Sequence, residues 1–175
     1  TLLDDDYRVV PHYNACINKD DYVPYTDRQY DFSFRGTYGT HELRPQLGKL
    51  HNGDNVIVQD TGRWHFFKPV KYKNRYKNSY KSILGNSKFA LCPPGTGVST
   101  LRLYEAMAAG AFPIVFNTVK VPKIVEDYVI RLNSIDDLDQ DKLLSTFTAE
   151  QSLDLHSIYW DNLSNDKLFS FITEA

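Results

Sequence analysis

Residues 88–116 read KFALC, PPGTGVS, TLRLYEAMAAG and AFPIVF in succession, and no other stretch restricts the fold as much. KFALC and FPIVF are short, unbroken apolar runs, the pattern of strands covered on both faces. Between them Pro93 and Pro94 stop the first strand, and Gly95 and Gly97 free the backbone for a tight loop. Ser99 is the expected N-cap of the following helix, and Gly110 stands where a C-terminal cap glycine belongs. Strand, glycine loop, helix and strand together deliver the free amides of a helix N-terminus to the carboxyl edge of a parallel sheet. Open α/β folds bind ligands at that edge, and the helix terminus favours an anion by about 0.3–1 kcal/mol. Arg102 adds a full positive charge in the first turn, and Glu105 places a carboxylate one turn later. A phosphate held over the loop, with Glu105 accepting from a ribose diol, is the simplest chemistry for this layout.

Two familiar phosphate motifs are excluded. The chain has no GxxxxGK[ST], and Gly95-Thr96-Gly97-Val98-Ser99-Thr100 lacks the third glycine of the dinucleotide fingerprint. The acid expected about 20 residues further on is also missing, because the next strand ends at Phe116-Asn117. A nicotinamide cofactor is therefore not indicated, and no other cofactor is expected. The length of 175 residues suits one domain, and a net charge of −2 gives no general pull toward nucleic acid or anionic lipid. Cys16 and Cys92 are too few for a disulfide scaffold, and Cys92 reads as a buried thiol. The five histidines (12, 41, 51, 65 and 156) show no ligand spacing, so no metal site is expected from them. Asp4, Asp5 and Asp6 resemble a metal-holding acidic run, but a solvated face is the simpler account.

The rest of the chain repeats the strand-and-helix alternation. Strands are expected at 7–10, 30–34, 55–59 and 128–132 beside the two central ones, about six in all. Thr40, with Leu43, Leu47 and Leu50 at helical spacing, announces a helix that Pro45 should kink or delay. This is a second strand–glycine–helix unit, carrying Gly36 in its loop and Arg44 near its positive end; an exposed helix arginine is the alternative for Arg44. In residues 63–81 basic and aromatic side chains interleave, the composition of a single-stranded nucleic-acid surface. Against a slightly acidic whole, a solvated helix face or a nucleotide-base contact is preferred there, and nucleic acid is not expected as a partner. Further helices are expected at 134–147, 148–160 and 163–172, with the aspartates at 136, 137, 139 and 141 as helix-start charges rather than metal ligands. The fold class is α/β: one Rossmann-like domain over 1–175, with a parallel sheet and helices on both faces.

Several blocks then resemble one family. Asn78-Ser-Tyr80, Leu84, Ser87-Lys-Phe89, Leu91, Pro93 and Gly95, then Ser99, Arg102, Glu105-Ala106, then Gly110, Pro113-Ile-Val are similar to the exostosin family of glycosyltransferases. Residues 7–11, the Phe34-x-Gly36 and Arg44-x-x-Leu47 pair, and Val121-Pro122 fit the same pattern, which is specific only over 87–115. The sequence departs from it at Pro45, His12 and Ala111. The resemblance implies the nucleotide-sugar half of a two-domain GT-B enzyme, with the acceptor and the general base contributed by an N-terminal domain that this chain does not include. It implies a UDP-linked donor and a glycan acceptor, with inversion and without a metal. Arg44 and Arg102 would neutralise the leaving diphosphate, and Gly36, Gly95, Thr96, Gly97, Val98, Ser99, Thr100 and Glu105 would bind the donor. Tyr38, Tyr72 and Tyr76 are candidates to stack on the base. Animal and plant members are anchored in the Golgi lumen and a microbial one would be cytoplasmic, so the compartment stays open. The rival functions are a nucleotide-sugar-binding module without turnover and, less favoured, a single-strand binder.

Overall fold

The computed structural model describes residues 14, 16–62, 70–97, 100–164 and 166–167, with the backbone alone at 70–74 and 76. Its centre is a five-stranded sheet: β1 (Tyr30–Gly36), β2 (Val56–Asp60), β3 (Ser87–Cys92), β4 (Phe112–Phe116) and β5 (Ile130–Leu132). Every pairing is parallel and the spatial order is β2-β1-β3-β4-β5. All positions of β4 and nearly all of β3 are buried, which requires cover on both faces. The helices are α1 (Leu43–Gln46), α2 (Val70–Gly85), α3 (Leu101–Ala108), α4 (Gln140–Thr146) and α5 (Ala149–Ile158). This is the expected α/β class. The sixth expected strand, at 7–10, and Asp4, Asp5 and Asp6 lie outside the described residues, as does most of the helix expected at 163–172. Among the described residues no helix is long and apolar enough to cross a membrane.

Register locks the core through aromatic residues. Phe32 pairs with Phe89 and Phe89 with Phe112 across three strands. Their rings lie 4.9 and 5.6 Å apart, and Phe147, just after α4, closes over Phe89 and Phe112 at 5.7 and 4.5 Å. Offset and edge contacts of this kind add about 0.5–1.5 kcal/mol per pair beyond the area buried.

Boundaries differ from the sequence reading where local hydrogen bonding overrides periodicity. The N-cap position of α3 is Thr100, not Ser99, and its side chain makes no capping bond. Thr40 does not cap α1, because its hydroxyl donates back to Thr37 O and the helix starts after Glu42. Pro45 neither kinks nor delays α1: it sits in the first turn, where a missing N–H removes no helical bond. Residues Lys123–Tyr128 form a 3-10 turn that shortens β5 at its start. The aspartates at 137 and 139 act as caps, accepting from Ser134 N and Lys142 N, while Asp136 pairs with Lys49.

The amino edge is held by one buried cation that periodicity does not reveal. Helix α3 ends in a Schellman turn, with Ala111 N donating to Ala106 O and Gly110 N to Met107 O, and Gly110 at φ +69°. Trp160 Nε1 takes Ala108 O, Arg28 Nη2 takes Ala109 O, and Arg28 Nη1 and Ser152 Oγ take Gly110 O. Arg28 also donates to Ser87 O at the start of β3 and to Val23 O. Each carbonyl that the helix leaves open is thereby satisfied, and Arg28 adds a cation at the negative end of the dipole. Burial lowers the Arg28 pKa to about 10, which still leaves it charged at neutral pH.

Arg28→Met should therefore lower folding stability by about 3 kcal/mol or more in urea denaturation, since Ser87 O and Ala109 O lose the donor they have in the fold. Gly110→Ala should cost roughly 1–3 kcal/mol for the positive φ alone, and its Cβ would stand 2.9 Å from Ser152 O. His156 gives a pH dependence. Burial, and then the charges of Lys19 and Arg28, hold its pKa below 6.5 against the pull of Asp161 and of its hydrogen bond to the Lys19 backbone. The unfolded chain then binds the proton more readily than the fold does, so stability is full above about pH 6.5 and falls as the pH drops below it. Melting curves from pH 7 to pH 5 should show that decline, and His156→Gln should flatten it.

Candidate functional site

The strand order places a topological switch point between β1 and β3. From β1 the chain moves outward to β2, and from β3 it moves the other way to β4. The loops that leave the two strands therefore diverge and open a crevice at the carboxyl edge. Gly36 ends β1, and Pro93, Pro94 and Gly95 follow β3. Two arginines from different helices meet over this crevice.

Arg44, from α1, is buried, not the exposed helix arginine of the alternative reading. Its Nε donates to Pro94 O at 2.8 Å and its Nη1 to Thr37 O at 3.1 Å, so it ties the loop after β3 to the loop after β1. Arg102, from the first turn of α3, donates through Nη2 to Arg35 O at 2.5 Å. Its guanidinium lies 4.4 Å from the centre of the Phe34 ring and 5.5 Å from that of Tyr80, and Arg44 approaches Phe34 from 5.7 Å. Cation–π contact of this kind is worth about 0.5–2 kcal/mol. Neither arginine belongs to an ion pair among the described residues. Burial first, and then the charge of Arg102, lower the Arg44 pKa to about 10, while Arg102 Nε is buried without a partner. Two cations that repel each other thus lie side by side with carbonyls, not carboxylates, for partners.

Close backbone approach explains two of the glycines. A Cβ on Gly36 would stand 2.8 Å from Arg102 Nη2 and 3.0 Å from the Phe34 ring, and one on Gly95 would stand 3.3 Å from Arg44 Nη2. Gly97 has open space around it, and Thr96 and Gly97 are exposed. Thr100 is buried at the head of α3. Val98 and Ser99 lie outside the described residues, and so do the side chains of Tyr72 and Tyr76. Tyr38 is half-buried beside Phe34, with ring centres 6.2 Å apart, and its hydroxyl packs against Gly48.

Glu105 does not pair with Arg102, although the two are three apart on one helix. It is buried, with Oε2 accepting from the Tyr80 hydroxyl at 2.5 Å and Oε1 from the Cys16 thiol at 3.3 Å. Burial, and then the Glu105 charge, push both donor groups well above their ordinary pKa, so each keeps its proton. Cys92 is the expected inert thiol: it is fully buried, has a pKa raised to about 12 and donates to Ala90 O. Sequence reasoning missed the Cys16 and Tyr80 contacts and the Phe34 platform. The signal for Tyr80 was an aromatic hydroxyl at helical spacing from Leu84.

A shallow depression of about 170 Å³, counting its open mouth, lies between β1 and α2 and is lined by Phe34, Tyr80, Leu84 and Arg102 among others. Helix α2 begins at Val70; the earlier part of the basic-aromatic segment, 63–69, lies outside the described residues. Within the helix Lys81 pairs with Asp21 at 2.6 Å, and Arg75 and Lys77 face solvent. No group of three or more histidine, cysteine, aspartate or glutamate side chains that could hold a metal ion occurs among the described residues.

Comparison with known proteins places these residues in context. The Exostosin GT47 domain matches residues 3–159. Exostosin-1 of Drosophila melanogaster is 28% identical over 109 residues, 54% of this chain and 14% of that protein. The exostosin-1 homolog of Caenorhabditis elegans is 28% identical over 102 residues, 51% of this chain and 27% of that protein. This chain therefore spans well under half the length of either relative. A crystal structure of a GtfA/B complex is similar over 84% of this chain and 35% of that chain, at 15% identity and a TM-score of 0.43.

Gly36→Ala tests the crevice directly. Its methyl meets the far end of Arg102 at 2.8 Å and the buried Phe34 ring at 3.0 Å, so Arg102 is pushed from its berth and the melting temperature should fall modestly. Affinity for inorganic diphosphate, read by calorimetry, should fall about tenfold, the effect of one charge-assisted contact.

Proposed function

Because the chain belongs to the exostosin family of glycosyltransferases, we propose that its carboxyl-edge site holds the diphosphate of a nucleoside diphosphate-sugar, UDP-linked, during transfer of the sugar to a glycan hydroxyl. The observation that carries this reading is the convergence of Arg44 and Arg102, without carboxylate partners, at the switch point between β1 and β3. The first-turn amides of α3, behind a Thr100 that makes no capping bond, add to the same positive field.

In this mechanism the bond from the anomeric carbon to the diphosphate oxygen breaks as the acceptor oxygen bonds the opposite face of that carbon, with inversion. The acceptor proton passes to a base on an N-terminal GT-B domain. Negative charge grows on the departing diphosphate, and both guanidiniums are already fixed by carbonyls where that charge appears, so little reorganisation is required. Two arginines and a helix terminus supply the counter-charge that a metal ion would otherwise provide. Gly95 and Gly97 on one loop and Gly36 on the other let the diphosphate approach the main chain. Glu105 has one protein donor on each oxygen, and the remaining lone pairs are those of a ribose-diol acceptor. The depression beside Arg102 is smaller than a sugar nucleotide, which fits a donor lying across an open edge with its second wall on the companion domain.

A panel of UDP-, GDP- and dTDP-sugars, scored by thermal stabilisation of the chain, should single out the UDP-sugars. Arg102→Ala and Glu105→Gln should each remove most of that stabilisation; a panel in which neither does would sink the reading. In the full-length protein, Arg102→Ala should lower kcat on the order of 10²–10³-fold. Donor binding without turnover there would instead favour a binding module.

A further inference from the structure

Tyr80 stands apart from the packing residues around it on α2. Its hydroxyl donates to Glu105 Oε2 at 2.5 Å, and its ring faces the Arg102 guanidinium at 5.5 Å. It thus touches both the carboxylate and the cation, which sit a single helical turn apart on α3. Helix α2 brings it there from the neighbouring crossover, where Leu84 is buried and Ser87 follows into β3. Without Tyr80, Glu105 would keep the Cys16 thiol, a weak donor at 3.3 Å, and would be free to swing toward Arg102 three residues away. That swing would neutralise the cation and turn the carboxylate away from any ligand.

We infer that Tyr80 is a positioning residue of the donor site, holding Glu105 apart from Arg102 so that one stays free for a ribose diol and the other for phosphate. The inference rests on the nucleoside-diphosphate reading of the site and extends it to specificity: the arrangement selects ribonucleoside over deoxyribonucleoside diphosphates. The Tyr80 hydroxyl accounts for the ribose selection. Its ring supports the phosphate contact through Arg102.

Calorimetry of the chain with UDP, 2′-deoxy-UDP and inorganic diphosphate separates these roles. The unmodified chain should prefer UDP to 2′-deoxy-UDP by about tenfold, the effect of one hydrogen bond to a charged group. Tyr80→Phe keeps the ring and loses the donor. It should bring UDP down to the level of 2′-deoxy-UDP and, because the released Glu105 neutralises Arg102, weaken 2′-deoxy-UDP and diphosphate by about tenfold each, so that UDP loses more than either. Tyr80→Leu, which also removes the ring facing Arg102, should weaken diphosphate further. Glu105→Asp, which withdraws the carboxylate from the hydroxyl while keeping its charge, should abolish the ribose preference as Tyr80→Phe does, and serves if the tyrosine variants fold poorly. If both Tyr80→Phe and Glu105→Asp retain the preference, or if Tyr80→Phe weakens all three probes equally, the inference is overturned and the donor-site reading stands. If the unmodified chain binds both nucleotides equally, the inference is overturned and the donor-site reading stands; if it binds neither, the donor-site reading fails and this inference falls with it.

Discussion

Arg44 donates to Pro94 O from one side of its guanidinium and to Thr37 O from the other. Through that pair of bonds it fastens the loop leaving β3 to the loop leaving β1, at the place where the connections of a doubly wound sheet part company. The rest of the carboxyl edge depends on this clasp. Pro94 and Gly95 cannot drift from Gly36, and the entry to α3 stays over the crevice. A carboxylate would have been the usual partner for a buried arginine. Carbonyls satisfy its geometry without cancelling its charge.

The same device recurs with a different outcome at the amino edge. Arg28 is buried as deeply and is also surrounded by carbonyls, but those belong to the C-terminal turn of α3 and the start of β3. There the helix dipole supplies the compensating negative charge, and the site is complete. Arg102 sits at the opposite end of the same helix, where the dipole has the other sign and adds to the cation instead of opposing it. One short helix therefore separates a finished structural contact from an electrostatically unfinished one. That difference in sign, more than burial or hydrogen-bond count, separates Arg102 from Arg28.

Packing and chemistry share residues here. Phe34 is a core residue of β1 and also the surface on which both site arginines rest. Tyr80 packs against the core from α2 and is also the donor to Glu105. Rigidity of the aromatic row through Phe32, Phe89 and Phe112 is transmitted to the cations, because the strand bearing Phe32 also bears Phe34 and Arg35.

Local patterning was enough to specify much of this. Unbroken apolar runs named β3 and β4, the prolines and glycines between them named the loop, and Gly110 named the end of α3, because each depends on backbone preferences that act over a few residues. Arg44, Arg102 and Glu105 were recognisable as candidates for the same reason: residue type and position on a strand–loop–helix unit are local facts. Only the tertiary structure decided what these groups touch. The strand order, which puts β1 beside β3 and so brings Arg44 to Pro94, joins segments 50 residues apart. The contact that turns Glu105 from Arg102 to Tyr80 and Cys16 spans 25 and 89 residues, and Arg28 reaches α3 across more than 80. Periodicity encodes which face of an element is apolar; it carries no record of which distant face that element will meet, and hydrogen-bond partners are settled only when the faces close.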